Sequence, residues 1–266
     1  MNELSNYYFR KPKPTKEHFR GCLRFLRDRF SVRQSRNTRS IRGLKDSKKG
    51  RKCVIVCNGP SLNETNWNLL KNVDTIGLNK IFLKFETEAW RPNYIVCVNP
   101  LVIEQSIEEY RKLKIPLFVP RNILPLLHSR ENTYFLKSFD IPCFSKDISV
   151  AVWQGFTVTY VALQIAYYLG YHEVALIGCD HYFKVQGFAS ETQMSSETDL
   201  NHFDPRYFSG TNTWQLPDIE GSEFAYRIAR DSFKSENKVI YNCTAGGSLE
   251  LFKRKSLQEF LDEKKS

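Results

Sequence analysis

The run KCVIVC at residues 52–57, which passes straight into Asn58-Gly59-Pro60-Ser61, constrains the fold more than any other segment. Six residues are too few for a buried helix. Apolar side chains at every position from Cys53 to Cys57 need cover on both faces, which a central strand of a parallel sheet provides. Parallel neighbours cannot be joined by a hairpin, so such a strand requires crossover connections through helices. The rest of the chain supplies them. Strand-like runs fall at 75–78, 94–98, 116–120 and 173–177, with a late strand at 238–241, and helical patterns fill 62–71, 101–112 and 156–169. The expected fold is α/β: a doubly wound, mostly parallel Rossmann-like sheet. Residues 184–217 break the rhythm with a polar, Ser/Thr-rich and aromatic stretch, which reads as a lid insertion.

Charge separates an N-terminal part from this domain. Residues 1–52 hold 17 Lys and Arg against four acids, a net +13, whereas the remainder holds 22 against 25, a net −3, within a total of +10. Residues 1–51 are therefore read as a basic arm and 52–266 as the Rossmann-like domain. Within the arm Phe19, Leu23, Leu26 and Phe30 recur at helical spacing among Arg20, Arg24, Arg27 and Arg29. A helix there would be amphipathic and cationic, suited to an anionic membrane surface. The polar segment after it reads as a flexible linker. The competing readings are an arm docked on its own domain and, ranked last, contact with nucleic acid.

The chain has no apolar run of about 18 residues, and its first residues lack the apolar core of a secretory signal, so the expected location is cytoplasmic, peripheral on the inner face of the membrane. The seven cysteines, at 22, 53, 57, 97, 143, 179 and 243, show no CxxC spacing, and five of them lie in apolar runs. They read as buried small hydrophobes rather than as disulfide or metal partners.

The chemistry is expected where strands end. After the first strand, Asn58, Gly59 and Ser61 combine close backbone approach with hydrogen-bonding side chains at a strand-to-helix turn, an anion or nucleotide cradle. There is no GxGxxG or GK[ST] pattern. Two more runs end in Asn79 and Asn99, and parallel strands share one carboxyl edge, so the three amides are expected to converge; the competing reading for each is a helix cap. The run 173–177 leads to Asp180, a ligand anchor or general base, with Tyr182 beyond it. Alternation along an extended chain would turn His181 away from Asp180. In the lid, HFDPRYF offers His202 as a general base, Arg206 as a partner for phosphate or carboxylate, and Tyr207 beside them. No metal motif is present, so no metal site is assigned.

In order, NGPSL, LNKIF, VNP with Glu104-Gln105, and LGYHEVALIGCDHYF resemble the bacterial sialyltransferases of glycosyltransferase family 42, the Campylobacter type. The lid, WQLPD and NCTAGGSLELFKR are more similar to the hydroxymethylpterin diphosphokinase MptE-like and motility-associated-factor family. The resemblance implies nucleotide contacts at Asn58, Gly59, Ser61, Asn79 and Asn99. It puts Asp180 and Tyr182 beside the transferred group, and Gln105, Gln154, Gly155, Arg206 and Tyr207 near substrate. Departures are clear: Gln154-Gly155 stands where the sialyltransferases have Ser-Gly, and residues 210–218 lack their catalytic histidine. His202 is the substitute expected here.

The leading expectation is a sugar-nucleotide-dependent, sialyltransferase-like glycosyltransferase, its donor CMP-linked and its acceptor a glycan or lipid-linked cell-surface precursor, needing no cofactor. The alternative is transfer of diphosphate from ATP, with Mg2+, to a pterin-like alcohol; a third is a non-catalytic nucleotide-binding scaffold. A homo-oligomer is compatible with either enzyme. The arm carries its own test: full-length protein should bind anionic vesicles in a strongly salt-dependent way. Equal binding after removal of residues 1–50 would exclude the arm as the anchor.

Overall fold

The computed structural model describes residues 36–183, 188–189, 191–194, 199–208 and 213–263; the amphipathic stretch expected at 19–30 lies outside them. In chain order the strands are β1 (Lys52–Val56), β2 (Asp74–Leu78), β3 (Tyr94–Val96), β4 (Leu117–Pro120), β5 (Thr133–Leu136), β6 (Glu173–Ile177), β7 (Thr192–Met194), β8 (Thr213–Gln215), β9 (Val239–Asn242) and β10 (Lys253–Arg254). Eight form one sheet in the order β10-β9-β6-β1-β2-β3-β4-β5, every pair parallel, and β7 and β8 make a small antiparallel pair. β1 is central, as its composition demands: Cys53, Val54, Ile55 and Val56 have no exposed surface. Cys53 and Ile55 enter one apolar layer and Val54 and Val56 the other.

The helices are α1 (Arg36–Arg42), α2 (Pro100–Gln105), α3 (Ile107–Lys112), α4 (Leu124–Leu127), α5 (Val158–Leu169), α6 (Ile219–Lys234) and α7 (Leu257–Asp262). α5 and α6 cover one face of the sheet. α5 is buried from Thr159 to Leu169, including Gln164. That amide accepts from the backbone of Ser145 and Trp153 and donates to the Trp153 carbonyl at 2.7 Å, so the loop before α5 is hung from the helix that follows it. Gly170, at φ 92°, ends α5 in the left-handed conformation that suits glycine.

Several expected elements differ in form. Residues 62–71 are two short 3-10 segments, Pro60–Glu64 and Trp67–Asn72, because Asn66 caps the second by accepting from the Asn68 N–H. The helix expected over 101–112 is broken at Ser106, whose φ of −131° is not helical. β5 and β10 are too short to show a period; α6 is amphipathic, with Ser222, Ala225, Tyr226, Ala229 and Phe233 buried along one side, and the sequence reading missed it.

The linker reading fails for residues 36–51, which form a strap docked across the domain. Ile41 is buried in the α5 layer. Asn37 pairs through its side chain with both the N–H and the carbonyl of Phe135, closing the outer edge of β5. The N–H groups of Asp46, Lys48 and Gly50 donate to the carbonyls of Tyr168, Leu169 and Gly170. Lys48 and Arg51 lie 3.3 and 3.2 Å from the buried carboxylate of Asp74, which also accepts from the Tyr171 hydroxyl at 3.1 Å. Removing residues 1–50 would thus uncover the β5 edge and take from Asp74 one of its two cations, Lys48.

Because Asp74 is buried and triply engaged, Asp74→Ala should cost roughly 3 kcal/mol of unfolding free energy in urea titrations. Lys45→Ala, at an exposed position of the same strap, should change it by less than about 0.5 kcal/mol. Equal effects would mean that the strap does not depend on this carboxylate.

Candidate active site

β1 and β6 lie side by side, yet the chain leaves β1 toward β2 and leaves β6 toward β9. Loops departing in opposite directions open a crevice at the carboxyl ends of such a pair. Here the two turns interlock. The Gly59 N–H donates to the Gly178 carbonyl at 2.8 Å, and Asp180 folds back over Gly59. Its Oδ1 accepts from the Ser61 N–H at 3.1 Å and its Oδ2 from the Ser61 hydroxyl at 2.8 Å. A Cβ on Gly59 would lie 1.9 Å from Asp180 Oδ2, so this position requires glycine for close approach.

Above the interlock is a cavity of about 160 Å³ that contains Asn58, Gly59, Asn79, Asp180, Tyr182 and His202. Two helices begin at it. Thr157 caps α5 by accepting from the Thr159 N–H, and Asp218 caps α6 by accepting from the Gly221 N–H at 2.7 Å. Residues 157–159 and Ile219 with Ser222 line the wall. Two helix N-termini at one cavity favour negative charge in it, an effect that the Asp218 carboxylate already meets in part at α6. Asn58 and Asn79 each present a buried side-chain oxygen without a hydrogen-bond partner among the described residues, the Asn79 side chain lying beside the Tyr207 hydroxyl. Buried polar groups left open this way are a cost that a ligand would remove.

The segment 199–208 seals one side and is anchored to the cradle: Phe203 donates its N–H to the Asn58 carbonyl at 2.9 Å, and the Asn63 side chain donates to the Phe203 carbonyl. Phe203, Tyr207 and Phe208 are buried in the apolar layer opposite α5. His202 stacks on Tyr207 with centroids 4.0 Å apart and planes 3° from parallel. Its Nδ1 donates to Asp199 Oδ2 at 2.7 Å. That bond fixes the tautomer and leaves Nε2 as the proton-accepting nitrogen of a cavity-lining imidazole.

Other expected contacts lie elsewhere. Asn99 is a helix cap: it accepts from the Leu101 N–H and donates to Gln215, two strands away from β1. Gln105 is spent on the Thr213 carbonyl at 2.8 Å and on Lys80 at 3.4 Å, which ties β8 to the core. Gln154 donates to Ser138, and Gly155, at φ 58°, forms the turn into α5, where a Cβ would meet the Tyr160 ring at 2.3 Å. Arg206 is paired with Asp204 at 2.8 Å and Glu86 at 2.9 Å on the surface. Tyr207, wholly buried, supports His202 and is no substrate contact in this arrangement. Ser61 acts through Asp180.

His181 also departs from expectation. It lines the same cavity as Asp180, because its φ of 54° breaks the extended chain on which alternation depends. Its ring sits 3.5 Å from Glu223 and burial lowers its pKa below the usual imidazole value, Glu223 opposing that effect. Sequence reasoning missed Asp199, Thr157, Ser222, Glu223 and Tyr226. Only Asp199 left a signal, its i,i+3 spacing to His202.

The sequence matches the 6-hydroxymethylpterin diphosphokinase MptE-like family over residues 29–186. No curated protein matches it. Among solved structures, the MAf glycosyltransferase from Magnetospirillum magneticum AMB-1 superposes with a TM-score of 0.52 at 14% identity, over 84% of this chain and 38% of that one. This chain thus spans well under half the length of that protein, and the likeness is one of fold. A mammalian sialyltransferase aligns over 90% of this chain and 88% of its own at 12% identity, with a TM-score of 0.36.

Burial lowers the His181 pKa in the folded state, whereas the unfolded chain takes up a proton below about pH 6.5. The unfolded state then binds more protons, so the stability associated with His181 is complete above that pH and is lost as pH falls through it toward the folded-state value. Stability measured from pH 7.5 to 5 should fall less steeply in His181→Gln than in the wild type. Identical slopes would show that the ring titrates as if exposed.

Proposed function

The chain belongs to the 6-hydroxymethylpterin diphosphokinase MptE-like family, and we propose that it acts as a sugar-nucleotide-dependent glycosyltransferase. The supporting observation is that His202, bonded to Asp199, lines the cavity that also holds the side-chain oxygens of Asn58 and Asn79. The two amides read the base or ribose of the nucleotide, and the N-termini of α5 and α6 hold its phosphate. An acceptor hydroxyl gives its proton to His202 Nε2 as its oxygen bonds the anomeric carbon of the donor. The bond from that carbon to the phosphate oxygen breaks, and its electron pair leaves with the nucleotide. Asp199 stabilises the imidazolium so formed, and the helix N-termini oppose the charge developing on the phosphate. The donor is CMP-linked in this reading, the acceptor is a glycan or lipid-linked precursor, and no cofactor is required.

The placement of the strap bears on the membrane reading. Residues 46–50 bond to the carboxyl end of α5, while the amino end of that 12-residue helix lines the cavity, roughly 18 Å away. An anchoring role for the arm therefore falls to residues 1–35.

The family description favours a second reading, transfer of diphosphate from ATP with Mg2+ to a pterin-like alcohol. Thermal shifts with CMP, CDP, UDP, GDP, ATP and AMP, each with and without Mg2+, separate the two. Stabilisation by CMP or CDP without metal supports glycosyl transfer, and stabilisation only by ATP or AMP with Mg2+ supports the kinase. With a binding nucleotide in hand, Asn58→Ala should weaken affinity by roughly 1–3 kcal/mol in calorimetry. His202→Ala should lower turnover by roughly 10²- to 10⁴-fold with nucleotide affinity retained. Full turnover in His202→Ala would overturn the assignment of the base.

A further inference from the structure

Asp180 and Tyr182 separate the nucleotide cavity from a second, wider one of about 420 Å³. Its two sides differ in chemistry. Tyr182, 60% exposed, and Leu200, 64% exposed, stand with the Pro60 ring as apolar surfaces, whereas Asn201, Ser248 and the remaining lone pairs of Asp180 are polar. Together Tyr182, Leu200 and Pro60 offer apolar surface that a ligand would cover. A pocket of this kind, mostly apolar with a few placed polar groups, falls in the usual size range for small ligands, roughly 300–1,000 Å³.

The far wall is built rather than incidental. Ser248 donates its N–H to the Asp180 carbonyl at 2.7 Å, and a Cβ on Gly247, which has φ 75°, would lie 2.7 Å from that same oxygen. Arg254 donates to the carbonyls of Gly246 at 2.7 Å and Gly247 at 2.9 Å and pairs with Glu250. The GGSLELFKR segment therefore clamps a glycine turn against the backbone of the residue whose side chain Ser61 holds. Both walls converge on Asp180, and Asn201, next to His202, belongs to both cavities.

We infer that this second cavity is the acceptor subsite and that it takes a pyranose ring. A pyranose presents C–H groups on one face and hydroxyls around its rim. Tyr182 is the stacking platform for the face, with Leu200 and Pro60 beside it, and Asn201, Ser248 and Asp180 receive the hydroxyls. Tyr182, which the sequence placed beside the transferred group, is here a binding residue. The inference rests on the first cavity being the nucleotide subsite, since the shared wall then sets the two substrates next to each other at His202.

The test is saturation-transfer NMR on the full chain with the methyl pyranosides of glucose, galactose and N-acetylglucosamine, each with and without CMP. Transfer to at least one pyranoside is expected, undiminished by saturating CMP. Tyr182→Ala and Leu200→Ala should weaken it roughly 2- to 10-fold, the range for loss of one ring contact, and Lys45→Ala, at an exposed position of the strap, should leave it unchanged. CMP binding without transfer to any pyranoside overturns the inference alone. So does a pyranoside that CMP displaces, or one indifferent to both Tyr182→Ala and Leu200→Ala. Pyranoside binding without CMP binding overturns the nucleotide assignment and keeps the second cavity as a sugar site.

Discussion

The contact on which the rest of the site depends is the seating of the Asp180 carboxylate over Gly59. Two strands with divergent connections leave a crevice whose walls have no intrinsic reason to stay together. Ser61 supplies one, through two hydrogen bonds to a single carboxylate, and Gly59 makes room by having no side chain. Hydrogen bonds to an ionised acceptor are roughly twice as strong as neutral ones, so this junction is stiff for its size. From it the backbone of Asp180 receives Ser248, and the carbonyl of Asn58, one residue before Gly59, receives Phe203. The loop after β9 and the lid segment are thereby referenced to one point.

The helices add direction. α5 is buried along almost its whole length and could be so only with its one interior amide satisfied, which Gln164 achieves by binding the loop that precedes the helix. A helix held this firmly points its N-terminus at a fixed place, and α6 starts at the same cavity with Asp218 as its cap. The lid segment contributes aromatic packing: His202 lies flat on Tyr207, which is itself buried beside Lys80. Burial lowers the pKa of Lys80, and its ammonium is compensated by the Tyr207 carbonyl at 2.8 Å and the ring of Phe208. A ring stacked on one side and hydrogen-bonded at Nδ1 has little freedom left. That is the condition for a positioned base.

The N-terminal strap shows how local composition misleads. Residues 36–51 are polar, basic and rich in turn formers, the usual signature of a linker, yet Ile41, Asn37 and the pairing of Lys48 and Arg51 with Asp74 bind them to three parts of the domain. One apolar side chain and a few hydrogen bonds suffice because β5 needs an edge cover and Asp74 needs cations. Both needs belong to the sheet, and neither can be read in the strap.

By itself the sequence determined the parallel α/β architecture, the position of β1 at its centre, the tight turn at residues 58–61 and the placement of Asp180 on the same edge. It could do so because burial on two faces and turn chemistry are local properties, written in consecutive residues. It also picked out His202, though as one of several polar groups in a short cluster. Only the tertiary structure decided which strand ends meet. Asn58 and Asn79 leave open oxygens at the cavity, while the similar Asn99 caps a helix two strands away, because strand order rather than sequence spacing sets lateral distance. The same holds for His181, turned into the cavity by one positive φ, and for Asp199, whose role exists only where the lid segment packs. Side-chain partners joined across more than 100 residues, as Ser61 and Asp180 are, depend on the folded path, and no local pattern encodes it.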